Sequence, residues 1–169
     1  VKAVFENGFV KNKVLEFAGP GVASLPTDFR NGIDVMTTET TCLSSIWITD
    51  GKVEEYYKMH ERPEAYKELQ PGEVAYYDSM IRIDLSKQES MIALPFHPSN
   101  AYTIHELQAD PEGILKTVEE DARKRFGDKI SIDLESKVKN GKAYADQAII
   151  AGCSGGTYDN LSEAASIMK

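Results

Sequence analysis

A chain of 169 residues, 41% hydrophobic and 27% charged, has the make-up of an ordinary globular protein with room for one good core or two small ones. Acidic residues outnumber basic ones 27 to 19, giving a net charge of −8, which argues against a generic nucleic-acid surface because phosphate binding needs a concentrated positive field. No apolar run approaches the ~20 residues that span a bilayer, the first residues lack the regions of a secretory signal, and Cys42 and Cys153 make no disulfide framework, so a reduced, cytoplasmic setting is expected.

In chain order, Val14 to Phe17 reads as a short strand broken by Gly19-Pro20-Gly21. A helix is expected from near Pro26, with Phe29, Ile33 and Met36 on one face. Ser44 to Ile48 reads as a buried strand, and Asp50-Gly51 opens a helix through Val53, Tyr56 and Tyr57. Ile81, Ile83 and Leu85 alternate with Arg82 and Asp84, the pattern of a strand over Met80 to Leu85. A further extended segment, Ser90 to Phe96, leads into the loop His97-Pro98-Ser99-Asn100.

Asp110, Pro111 and Glu112 supply the cap, first-position proline and first-turn acid of a helix that continues through Ile114, Val118, Ala122 and Phe126 to Gly127. Arg123-Lys124-Arg125 falls in its last turn, where cations suit the helix dipole, and reads as solvated surface. Extended segments follow at Ile130 to Ile132 and Lys137 to Ala143, the latter around a tight Asn140-Gly141 turn. A strand over Ala148 to Cys153 then enters a final helix carrying Leu161, Ala164, Ala165 and Met168. Strands and helices alternating at these lengths predict an α/β fold, layered α/β/α with a mainly parallel sheet, and a boundary near Glu106 to Asp110 divides it into residues 1–108 and 109–169. Val1 is not an initiator methionine and Lys169 falls inside a helical pattern, so the chain is expected to be a piece of a longer protein.

Chemistry concentrates around Cys153, where an apolar run meets a double glycine and a new helix. A helix start favours the thiolate, the form that ligates metals and attacks electrophiles, although a cysteine buried as a small hydrophobe is the commoner case. Gly152, Gly155 and Gly156 could also form an anion nest. The segment lacks the lysine and hydroxyl pair of a nucleotide P-loop and the arginine that a cysteine phosphatase would need.

Ala151-Gly152-Cys153-Ser154-Gly155, followed by Tyr158-Asp159-Asn160, resembles the first iron–sulfur ligand segment of the aconitase superfamily, where Gly-Ser-Cys-Thr-Asn precedes a helix with Tyr-Glu-Asp near its start. Upstream, Val14-Leu15-Glu16-Phe17 with Gly19-Pro20-Gly21, then Met36-Thr37-Thr38-Glu39, then Ser44-Ser45-Ile46-Trp47, is similar to the family's Val-Leu-Glu-Phe, Gly-Pro-Gly, Asn-Met-x-x-Glu and small-residue run before Phe-Pro. Tyr77 to Ser86 looks like its Tyr-Asp-x-x-Ile-Glu-Ile-Asp-Leu-Ser strand, and the three matches keep the family's order and spacing.

The resemblance implies an aconitase-like fold in which residues 1–108 are the second α/β domain and 109–169 the truncated start of the third. It implies a parent hydro-lyase that reversibly dehydrates a small hydroxy-polycarboxylic acid at a 4Fe-4S cluster, one iron being left free of protein ligands to act as a Lewis acid. Cys153 would be one of three thiolate ligands, and Glu39 would lie near the departing hydroxyl, where a carboxylate can move a proton. The family's other two ligands form a Cys-x-x-Cys pair absent from this chain. By itself the fragment is therefore expected to hold no cluster and to be inactive, with the remaining domains of the parent as its partners. Cys42 reads as core packing, His97 as a structural loop residue, His60 and His105 as surface or neighbouring support, and Asp78 and Asp84 as the polar face of a strand. Two departures bear on the chemistry: Val35 stands where the family has asparagine before methionine, and Gly155 where the ligand segment carries asparagine. They point to a divergent hydratase or a member without activity, and the alternative is a non-catalytic ligand-binding or interaction protein on the same scaffold.

Overall fold

A computed structural model describes residues 1–169. By mutual contact they form two units, one comprising Val1, Ala3–Leu85 and Ile150–Lys169, the other Lys2 and Ser86–Ile149. After a short opening helix, α1 (Lys2–Phe5), the first unit is built on a parallel strand pair. Strand β1 (Val14–Phe17) lies beside β2 (Ser44–Trp47), with Val14 opposite Ser44 and Phe17 opposite Trp47. Parallel neighbours require a crossover, and residues 18–43 supply one through α2 (Thr27–Met36). The rings of Phe17 and Trp47 stack at 4.2 Å, closing one end of the pair.

Pro26 takes the cap position of α2, one residue ahead of the helix, and Asp28 in the first turn complements the dipole. At the other end a run of threonines changes the helix into a 3₁₀ turn, Thr37–Thr40. The hydroxyls of Thr37, Thr38 and Thr40 each donate to the carbonyl three residues back, at 2.6, 2.8 and 2.6 Å, which favours the tighter winding over a continued α-helix. Thr41, left-handed at φ 63°, ends it. Helix α3 (Gly51–Met59) starts where Asp50 accepts the N–H groups of Lys52 and Val53. Arg30, fully buried, bridges α2 to that cap with two bonds to the Asp50 carboxylate at 3.2 and 2.7 Å.

The second unit holds an antiparallel pair, β3 (Met91–Ala93) and β4 (Ala101–Thr103). Thr103 and Glu106 form a reciprocal capping box for α4 (Ile104–Ala109), and Asp110 caps α5 (Pro111–Phe126). Leu115, Val118 and Ala122 are the buried face of α5, and Phe126 packs against Phe96 at 4.9 Å. The buried Glu119 accepts the backbone N–H groups of Leu134 and Glu135 and faces Arg123 at 3.1 Å, while Arg125 pairs with Asp121. Hairpin β5 (Val138–Lys139) and β6 (Lys142–Ala143) turns at Asn140-Gly141, with φ 53° and 69°, the two positive angles that a type I′ turn demands.

Mixed α and β content is as expected, but parallel pairing is confined to β1 and β2, and the other two sheets are antiparallel pairs. Neither Met80 to Leu85 nor Ile130 to Ile132 forms a strand, and Ala148 to Cys153 does not either. Ile81, Ile83, Ile149 and Ile150 are exposed. Alternation marks a segment suited to a pleated, half-buried surface, and without a neighbouring strand the pattern has nothing to pair with. The chain ends with a single turn, α6 (Gly152–Gly155), and then α7 (Tyr158–Ile167). No helix is long and apolar enough to cross a membrane.

Candidate functional site

Glu39 and Cys153 both belong to the first unit. Glu39 is half-buried in the 3₁₀ turn that follows α2. Cys153 is exposed, on α6 rather than at the end of a strand. Helix α6 packs on α2, and the approach is close at Gly32, where a β-carbon would lie 3.1 Å from the Ser154 carbonyl oxygen. That contact precedes Glu39 by seven positions, roughly 10 Å along the helix axis. The fold thus sets the cysteine turn against the helix that leads to Glu39.

The residues after Cys153 fasten its turn. Asn160 Nδ2 donates to Thr157 Oγ1 at 2.9 Å and to the Ser154 carbonyl at 3.3 Å, linking α7 to α6. The Asp159 N–H donates to the buried Asp28 carboxylate at 3.2 Å, so the start of α7 is tied to the start of α2. Gly156 is required: a β-carbon there would stand 2.7 Å from the Gly152 carbonyl oxygen and 2.9 Å from its nitrogen. Gly155, by contrast, faces open space, and a larger residue would fit there.

Cys42 is half-buried, and its thiol donates to the Thr37 carbonyl at 3.3 Å. It therefore serves the turn that carries Glu39. The Val35 carbonyl accepts the Thr38 hydroxyl at 2.8 Å, and its aliphatic side chain can offer no hydrogen bond. His97 accepts the Ser99 N–H at 3.1 Å within its own loop. His60 bonds the Tyr56 carbonyl at 2.8 Å and lies tilted against the Tyr56 ring at 4.2 Å, and exposed His105 lies 3.8 Å from Glu89.

The polar residues with the most developed geometry are Arg30, Asp34 and Asp50, of which only Asp50, as a helix start, is marked in the sequence. Asp34 Oδ1 accepts from Ser45 Oγ and from Trp47 Nε1, the latter at 3.1 Å. The Arg30 guanidinium bonded to Asp50 holds its carboxyl below the ordinary carboxylate range; partial burial opposes this and the N–H groups of Val53 and Lys52 assist. For Arg30 and Asp34 the one sequence signal was a charged residue between apolar helix positions, beside Phe29 and Ile33.

No three of the chain's His, Cys, Asp and Glu side chains converge on a common point, and the Cys153 thiol is accessible and unbridged. Two recesses, of about 290 and about 190 Å³, are lined by neither Glu39 nor Cys153; the smaller, between the starts of α2 and α7, carries Asp28, Asp159 and Glu163.

Comparison with known proteins places the chain beside the aconitase family (aconitate hydratase), whose model matches residues 1–169. A 3-isopropylmalate dehydratase large subunit of Caldicellulosiruptor bescii is 29% identical over 157 residues, which cover 93% of this chain and 29% of that protein. A 2,3-dimethylmalate dehydratase large subunit of Eubacterium barkeri is 27% identical over 155 residues, covering 92% of this chain and 29% of the other. The aconitase HtyD of Aspergillus rugulosus is 32% identical over 130 residues, 72% of this chain and 15% of its own length. The chain thus spans under a third of these relatives. No solved structure matches it.

Proposed function

This chain belongs to the aconitase family, and from that premise we propose that it is part of a cytoplasmic hydro-lyase that reversibly dehydrates a small hydroxy-dicarboxylic or hydroxy-polycarboxylic acid. The relatives' names, which specify 3-isopropylmalate and 2,3-dimethylmalate, favour a malate bearing an alkyl substituent. On this reading residues 1–108 and 109–169 are the parent's second α/β domain and the start of its third, in a layered α/β/α arrangement with a mainly parallel sheet. The partners are the remaining domains and, since two relatives are named large subunits, a second chain.

One observation carries the reading: Cys153 is exposed on a turn that packs against the helix leading to Glu39, two residues that the aconitase motifs single out on separate grounds. Cys153 supplies one thiolate ligand to a 4Fe-4S cluster whose other ligands lie outside this chain. When bound, that cluster supplies Lewis acidity toward the substrate's hydroxyl and carboxylate. Glu39 holds the proton that the departing hydroxyl needs in dehydration and recovers it from water in the reverse direction. Its place in a turn fixed by the Thr37, Thr40 and Cys42 bonds suits a group that must be aimed.

The test compares Cys153→Ser and Glu39→Gln in the full-length protein. Cys153→Ser removes a soft ligand and is expected to lose iron and sulfide, whereas Glu39→Gln keeps size, loses proton-transfer capacity, and is expected to retain iron while turnover of 3-isopropylmalate or 2,3-dimethylmalate falls at least ~100-fold. Normal iron and activity in Cys153→Ser would overturn the ligand assignment. The second reading, a non-catalytic binding protein on the same scaffold, draws on Val35 and Gly155, where two polar groups of the family motif are missing. A Cys-x-x-Cys in the parent favours the enzyme.

A further inference from the structure

We propose that Asp34 is a positioning residue for Glu39, an inference that rests on the acid–base reading of Glu39. Asp34 lies in the last turn of α2, five residues before Glu39. Helix energetics do not explain it there: a carboxylate near the C-terminal end opposes the macrodipole, and aspartate is a poor helix former. What it gains is a pair of donors from the neighbouring strand. Ser45 Oγ and Trp47 Nε1, on β2, both point at Asp34 Oδ1.

The two donors are themselves held. Trp47 is stacked on Phe17 at the end of the parallel pair, so its indole N–H has little freedom to follow a moving helix. The Asp34 carbonyl accepts the Thr37 hydroxyl at 2.6 Å, and with the Ser45 hydroxyl donating to the Asp34 carboxylate, both protons are used and the 3.0 Å approach of the Thr37 and Ser45 oxygens carries no bond of its own. The Thr37 carbonyl in turn accepts from Thr40 Oγ1 at 2.6 Å and Cys42 Sγ at 3.3 Å. Glu39 is thus carried on a turn whose entry is tied to β2 by Asp34 and whose exit is tied back to Thr37. Asp34 is the residue that joins this local turn to the strand pair through its side chain. Without it, the turn keeps its internal bonds and the backbone bonds of its exit, Asn12 N–H to the Thr41 carbonyl at 3.1 Å and Leu43 N–H to the Lys13 carbonyl at 2.8 Å, but its entry loses the carboxylate that holds Ser45 and Trp47.

The experiment uses the full-length protein with 3-isopropylmalate as the probe substrate. Asp34→Ala removes the acceptor and is expected to lower kcat ~10- to 100-fold, the scale for misplacing a reacting group by about an ångström, with KM changed by less than about twofold. Asp34→Asn keeps an oxygen that can accept both bonds and is expected to retain most of kcat. Trp47→Phe, which keeps an aromatic ring against Phe17 but loses the indole N–H together with the pyrrole part of the ring, and Ser45→Ala provide milder variants of the same test should Asp34→Ala fail to fold; together they are expected to cost several-fold in kcat. The deciding measurement repeats these substitutions in the Glu39→Gln background. If Asp34 acts through Glu39, the residual rate of Glu39→Gln does not fall further. A further fall by the same factor as in the unmodified protein, or unchanged kcat in both Asp34→Ala and the Ser45, Trp47 double variant, overturns the proposal. Normal turnover in Glu39→Gln alone is a different result, which removes the reading of Glu39 on which the proposal rests.

Discussion

The Arg30–Asp50 pair is the strongest ionic interaction in the first unit, because the guanidinium is buried, both of its terminal nitrogens reach the carboxylate, and that carboxylate also caps α3. Removing one partner of such a pair strands the other, so Asp50→Ala is expected to cost about 3 kcal/mol through the unpaired arginine and about 1 kcal/mol through the lost cap. The pH dependence follows from the lowered carboxyl. Its folded value lies below the unfolded one of about 3.9, so the contribution is complete above that pH and is lost as pH falls through the folded value. Urea unfolding followed by the fluorescence of Trp47, the single tryptophan, should show the gap between the parent chain and Asp50→Asn closing below about pH 4. A gap independent of pH would assign the stabilisation to packing. The two cysteines make a second contrast, since Cys153 is exposed while the Cys42 thiol is half-buried and bonded to Thr37. Timed alkylation read by mass spectrometry is expected to label Cys153 first, and faster labelling of Cys42 would contradict the exposed placement of α6.

The turn that carries Cys153 depends on a glycine that the sequence marks but does not explain. Gly156→Ala would set a β-carbon against the Gly152 backbone, and backbone cannot yield as a flexible side chain can. The substitution is expected to cost about 1 to 3 kcal/mol in the first unit, whereas Gly155→Ala, facing open space, should be close to neutral. Chemical denaturation of both variants checks the contrast, and equal behaviour would mean that α6 relaxes freely. Elements were legible in the sequence where their cause is local. The Asp110-Pro111 start of α5, the Asp50 cap and the Asn140-Gly141 turn are each decided within four residues. The sequence Thr103-Ile104-His105-Glu106 spells a capping box just as locally, yet α4, which it starts, is absent from the expected elements. The strand patterns at Met80 to Leu85 and Ala148 to Cys153 were misleading because a strand needs a distant partner that alternation does not specify. For the same reason the charge of Arg30 and Asp34 among apolar helix positions does not reveal their roles: their partners Asp50, Ser45 and Trp47 lie on other elements, at separations with no periodic signature.

Across the whole chain, two long-range properties oppose each other. Val74, Tyr76, Met80, Ile81 and Ile83 fall on one stretch without regular structure and are exposed, Tyr76 at 94% and Met80 at 82%, apolar area that association between copies would remove from water. Against it stands the net charge of −8, which keeps copies apart over a distance set by salt, about 10 Å at 0.1 M and about 3 Å at 1 M. The isolated chain is therefore expected to be monomeric in dilute buffer at neutral pH. It should associate as salt is raised toward about 1 M, and also as the pH is lowered toward its isoelectric point near 4.9. Light scattering across a salt series measures this directly. Replacing Ile81 and Ile83 with serine leaves the charge unchanged and removes two of the exposed aliphatic groups, so the double variant should need more salt to associate to the same degree. If the variant and the parent chain associate at the same salt concentration, the apolar stretch is not the contact surface. If association weakens with salt instead, attraction between unlike charges, rather than burial of this stretch, holds the copies together.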